Sequence, residues 1–171
     1  MSDPLALSKL ADISREVLPE ETFRRWLARE TSRATRYQDF FSVCLIKPDP
    51  SETGANGAGD LQQAVSRKVA ELLRSTDVVG RVQDGTAVLL LHTASTEARR
   101  VAERIRAHLE NVAFPVTSGA AARRITLSVG EVSFPRDGYN DKVLLARAQV
   151  HLSEASRRGG NQVVHAEDLV R

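Results

Sequence analysis

Arginine has the widest chemical reach of any residue type in this chain. Only four of the 24 basic residues are lysines (Lys9, Lys47, Lys68 and Lys142), set against 22 acidic ones. A planar guanidinium donates in a fork that fits phosphate oxygens and guanine edges, although a GC-rich genome gives the same bias. The pairs Arg99-Arg100, Arg123-Arg124 and Arg157-Arg158 read as solvated faces, and a net charge of +2 gives no case for a nucleic-acid partner. His92, His108, His151 and His165 lack ligand spacing and read as surface or strand-end residues, so no metal is expected on them. Ser42 and Ser128 have no His–Asp context for a nucleophile. Cys44 is the lone cysteine, which excludes a disulfide within the chain and suits a small core residue. The sharpest local signal is the stretch from Gly80 to Leu91, where Asp84-Gly85 between apolar runs predicts a two-residue type I′ turn.

The elements that must carry these residues follow from periodicity. A helix is predicted over 19–36, with Phe23, Trp26, Leu27 and Ala34 on one side and Pro19, Glu20 and Glu21 suiting its first turn. Phe40 to Ile46 reads as a buried strand stopped by Pro48 and Pro50, and 51–59 as a Gly-rich loop. Helices are expected over about 60–75 (Leu61, Val65, Val69, Leu72 and Leu73 in one stripe), 95–110 and 140–157. Between them lie a hairpin over 78–91 and a strand over 124–134, with a short closing strand at Val163-Val164. With 171 residues and 42% hydrophobic content, one core is expected, in an α/β sandwich of helices on a central mixed sheet. No run approaches the roughly 20 apolar residues that span a bilayer, and the N-terminus does not read as a secretory signal. No membrane association and a cytoplasmic location are expected.

These pieces, in this order and spacing, resemble the GGDEF domain of bacterial diguanylate cyclases. The resemblance runs from about Asp12 to Val164. It is carried by Phe23, Leu27, Glu30, Arg33, Ala34 and Arg36, by Phe41 to Ile46, by Gly59-Asp60, and by Arg74 to Arg81. Val101 to Arg106, Ser128-Val129-Gly130, Phe134 to Gly138, Gly159 and Asn161 complete it. It implies a nucleotidyl cyclase-like sandwich, with a lead-in over 1–11, the domain over 12–166 and a tail over 167–171.

The resemblance also implies where the chemistry departs. The five signature positions read Gln83-Asp84-Gly85-Thr86-Ala87. The family's two metal-binding acidic positions fall on Lys47 and Gly85, and an ammonium and a hydrogen atom do not ligate a hard cation. The family's phosphate-contacting Lys and Arg fall at Ser156 and Gly160, and only Asp60 matches a guanine contact. Because one preorganised contact is commonly worth about 2–4 kcal/mol in such a reaction, the expectation is of no catalytic residues, no metal, no cofactor and no enzyme.

A second family site, an Arg-x-x-Asp motif that binds the product cyclic di-GMP, falls on Arg74 and Asp77, with further arginines at Arg81 and Arg104. The residue types suit that ligand, since guanidinium donors reach guanine O6 and N7 or a phosphate while a carboxylate accepts from N1–H and the amino group. A second copy of the pattern, Arg36 to Asp39, has no such role. Two functions are therefore expected to compete. One is a cyclic di-GMP receptor reading its ligand through Arg74, Asp77, Arg81 and Arg104. The other is a ligand-independent module pairing with an active cyclase or output protein. A homodimer is a further expected partner arrangement.

Overall fold

The computed structural model describes residues 16–50, 58–83, 85–115 and 122–170. Along the chain lie β1 (Val17–Leu18), α1 (Glu20–Tyr37), β2 (Phe41–Pro48), α2 (Ala58–Glu71), β3 (Val78–Val82), β4 (Gly85–Leu91) and α3 (Ser95–Glu110). Then follow β5 (Ala113–Phe114), β6 (Arg123–Arg124), β7 (Leu127–Phe134), α4 (Asp141–Arg157), β8 (Gln162–Val164) and a 3-10 turn, Ala166–Leu169. The main sheet runs β1-β3-β4-β2-β7-β8. Its two edge pairings are parallel and its inner ones antiparallel. The expected α/β sandwich with a mixed sheet is present.

The central strand β2 is buried along Phe41 to Ile46 because helices cover both faces of the sheet. Phe41, Val43 and Leu45 pack with Phe23 and Leu27 of α1 and with Leu144 and Leu152 of α4. The alternate residues Cys44 and Ile46 pack with Val65 and Val69 of α2 and with Ala98 and Ile105 of α3. Glu20 and Glu21 place negative charge on the first turn of α1, and Gln38 ends that helix in the left-handed region at φ 52°. Asn140 caps α4 by accepting from the Lys142 and Val143 N–H groups. Among the described residues no helix is long and apolar enough to cross a membrane.

Several local expectations are corrected. Strand β2 continues through Lys47 and ends on Pro48, while α2 stops at Glu71 rather than 75. The strand expected over 124–134 is two: β6 pairs with β5, and β7 begins at Leu127. Val82 pairs with Gly85, so Gly85 belongs to the strand rather than to the turn, and Gln83 lies at φ 54°. The turn therefore lies one residue earlier than Asp84-Gly85; Asp84 itself lies outside the described residues, as does most of the loop expected over 51–59. Trp26 is 45% exposed rather than on the apolar side of α1. Two histidines expected at the surface are buried: His151 Nδ1 lies 2.7 Å from the Glu131 carbonyl oxygen, and His165 packs behind the 3-10 turn.

Candidate functional site

The hairpin of β3 and β4 is fixed from three sides. At its tip the Gln83 N–H donates to Glu20 Oε2 at 2.8 Å. That bond, with the Arg24 guanidinium, holds the Glu20 carboxyl below its usual range. Gly85 lies against β2, where a β-carbon would stand 3.0 Å from the Ile46 carbonyl oxygen. Behind it Thr86 is fully buried: Gln62 Nε2 donates to Thr86 Oγ1 at 2.7 Å, and Ser66 Oγ lies 2.7 Å from the same oxygen. Ser66 donates its own proton to the Gln62 carbonyl at 2.9 Å, so the Thr86 hydroxyl supplies the proton between the two. The signature's fourth letter is thus a structural link between β4 and α2. Thr86→Val keeps the shape and strands those partners, which costs about 1–3 kcal/mol. Scanning calorimetry is expected to show melting lowered by about 3–10 °C for a chain of this size.

Lys47, half-buried at the end of β2, and Gly85 fall on the α1/α4 face by strand alternation. Asp60 is exposed in the first turn of α2. Neither of the first two positions brings a side-chain oxygen. Among the described residues no group of three or more His, Cys, Asp or Glu could hold a metal ion. At Lys47 and Gly85 no carboxylate is available to a divalent cation.

The second set of residues lies where α2 turns into β3. Arg74 stands three residues beyond α2, not in its last turn. The Arg74 N–H donates to Asp77 Oδ2 at 3.1 Å, and the Asp77 N–H donates back to the Arg74 carbonyl at 3.1 Å. This closed turn buries Asp77 to 5% exposure and leaves its Oδ1 without a hydrogen-bond partner. Burial raises the Asp77 pKa, against the opposing pull of the Arg74 N–H, the Arg74 guanidinium, the Leu91 backbone and Arg104. Arg104, exposed on α3, donates to the Leu72 carbonyl at 3.2 Å. Arg74, Asp77 and Arg104 are therefore together. Arg81 stands apart, exposed on β3 opposite Thr86, on the face of Asp77 but about 13 Å along the chain at strand spacing. The sequence reading missed Glu97, in the first turn of α3, whose Oε1 accepts from Arg74 Nη2 at 2.8 Å. No periodicity links two residues 23 apart. The other Arg-x-x-Asp copy is occupied differently, because Asp39 Oδ2 pairs with Arg33 at 2.5 Å and lies 2.9 Å from His92 Nδ1.

The family model described as "Diguanylate cyclase, GGDEF domain" matches residues 20–162. Diguanylate cyclase DosC of Escherichia coli (strain K12) is 31% identical over 163 residues, covering 89% of this chain. The chain spans only 35% of that relative's length. In fold, it resembles the GGDEF domain of PA1120 (YfiN or TpbB) from Pseudomonas aeruginosa, with a TM-score of 0.79 at 23% identity over 89% of this chain and 98% of that one. It also resembles the GGDEF domain of DgcB from Caulobacter crescentus, solved with c-di-GMP, with a TM-score of 0.72 at 19% identity over 88% and 89%.

These matches overturn the expectation that the chain is not an enzyme, because the family and its relatives are named for a cyclase reaction and point to one. That expectation rested on the replaced positions: the two metal-binding carboxylates at Lys47 and Gly85, the other signature letters, and the phosphate contacts at Ser156 and Gly160. The family match over most of the chain outweighs a reading made from single replaced positions.

Proposed function

Because this chain belongs to the GGDEF family of diguanylate cyclases, we propose that it binds cyclic di-GMP through Arg74, Asp77, Arg81 and Arg104. One observation carries the reading. The buried Oδ1 of Asp77 has no hydrogen-bond partner beside two exposed guanidinium groups, those of Arg74 and Arg104. An orphaned buried acceptor is costly, and the N1–H and amino group of guanine are donors of the shape that would satisfy it. The guanidinium groups match the remaining guanine acceptors and the phosphates. The DgcB domain, similar in fold, was solved with this same dinucleotide, which supports the choice of ligand. Arg81, farther along the same sheet face, would meet the outer part of a ligand with two bases.

Asp77 is enclosed, so the exposed arginine side chains beside it must swing aside for a base to enter. A charge-assisted hydrogen bond is worth about 1.5–3 kcal/mol, so Arg74→Ala is expected to weaken binding about tenfold to a hundredfold. Isothermal titration of cyclic di-GMP checks this, with Arg36→Ala, in the other Arg-x-x-Asp copy, expected to match the unchanged protein. No heat from the unchanged protein, or equal heats from it and Arg74→Ala, would discard the reading.

A further inference from the structure

The Arg74 guanidinium does not point into open solvent. Its Nη2 donates to Glu97 Oε1 at 2.8 Å, joining the turn after α2 to the first turn of α3. Both partners are exposed, at 61% and 48% of their side chains. A carboxylate on a guanidinium occupies the donors that a phosphate or a guanine edge would use. From this contact, and resting on the reading of Arg74 as a ligand-binding residue, we infer that Glu97 is a built-in competitor for Arg74 that sets how tightly the dinucleotide binds.

Two opposing effects decide the sign. The Glu97 contact restrains a long side chain, which lowers the cost of ordering it when a ligand arrives. The bond must also be given up for the ligand to take the same donors, and Glu97 presents a negative charge to a ligand with two anionic phosphates. The restraint ties Arg74 Nη2 to Glu97 on α3, so the ligand gains that donor only when the pair opens. Competition and repulsion therefore prevail over restraint. An exposed ion pair is weak enough for a ligand to break and strong enough to register.

The experiment is titration of cyclic di-GMP into four full-length proteins: unchanged, Glu97→Gln, Glu110→Gln and Arg74→Ala. Glu110 ends α3, 13 residues on, which is about 20 Å along a helix and beyond the screening length at physiological salt. Its substitution removes the same charge without touching Arg74. Glu97→Gln is expected to tighten binding about fivefold, about 1 kcal/mol at 1.4 kcal/mol per decade, with Glu110→Gln unchanged. Tightening seen in Glu97→Gln alone supports the competitor role. Equal affinity in Glu97→Gln and the unchanged protein, with binding lost in Arg74→Ala, overturns the role of Glu97 and leaves the binding site standing. Equal tightening by Glu110→Gln also overturns it, as a general charge effect. No binding by any of the four overturns both.

Discussion

Gly130→Ala is expected to lose about 4 kcal/mol or more of folding stability and to melt at least about 10 °C below the unchanged protein. Gly130 lies in β7, where its missing side chain faces α4. A β-carbon there would be driven into the Ala148 carbonyl oxygen and the Leu152 backbone nitrogen. These are backbone atoms of a 17-residue helix, so no rotamer change can clear them. The whole helix would have to lift, separating Leu144, Ala148 and Leu152 from Phe41, Val43 and Val132 in the core they share. Overpacking usually costs about 1–3 kcal/mol because side chains give way; here they cannot. Thermal unfolding followed by circular dichroism checks it, and a loss below about 5 °C would mean that α4 rides outward freely.

The second large effect concerns Glu131, fully buried on β7 opposite Cys44. Its carboxyl is pushed up to about 7, chiefly by burial and secondarily by the Asp137 carboxylate, against the Ser133 hydroxyl, Arg136 and the Ser95 hydroxyl. A chain of hydroxyls lies against it. Ser42 Oγ donates to the Thr93 carbonyl at 2.8 Å, the Ser42 and Ser133 hydroxyls lie 2.7 Å apart, and Ser133 Oγ donates to Glu131 Oε1 at 2.6 Å. These contacts offset only part of the cost of burying the charge.

The pH dependence follows from the raised value. Below about pH 4.5 both folded and unfolded chains carry the proton, and this group's contribution is complete. As pH rises from there to about 7 the unfolded chain releases the proton while the folded one keeps it, so stability falls. At about 1.4 kcal/mol per pH unit the loss is about 3 kcal/mol. Glu131→Gln keeps a side-chain oxygen that accepts from Ser133 and does not ionise. Its stability relative to the unchanged protein is expected to improve by about 3 kcal/mol between pH 5 and pH 8 in urea titrations. A difference that does not change with pH would show that Glu131 stays ionised in the folded protein.

Much of this architecture was legible because helices covering both faces of a sheet impose strong patterns. The stripe of Leu61, Val65 and Val69 turned toward one layer as read. The hairpin was misplaced by one residue for a physical reason. Asp-Gly is a strong turn signal, yet Gly85 is needed where β4 presses on Ile46, so the glycine serves the sheet. Burial of His151 was legible and overlooked, since it falls three residues after Ala148 and seven after Leu144 on the apolar stripe of α4, whereas His165 stands in no periodic segment. At the proposed site, Arg74 and Asp77 could be singled out by residue type and spacing. That Asp77 is enclosed, and that Glu97 holds Arg74, depends on where α3 lands after two intervening strands. The enzyme question was misjudged because it was argued from a few letters, whereas the similarity extends over most of the chain.

The bond from the Gln83 N–H to Glu20 yokes the tip of the hairpin to the first residue of α1. A twist of that helix by a single residue, about 100°, would swing Glu20 off the loop and release it. Torque applied at the start of α1 is therefore delivered directly to the loop that bears the signature letters, with no intermediary in between.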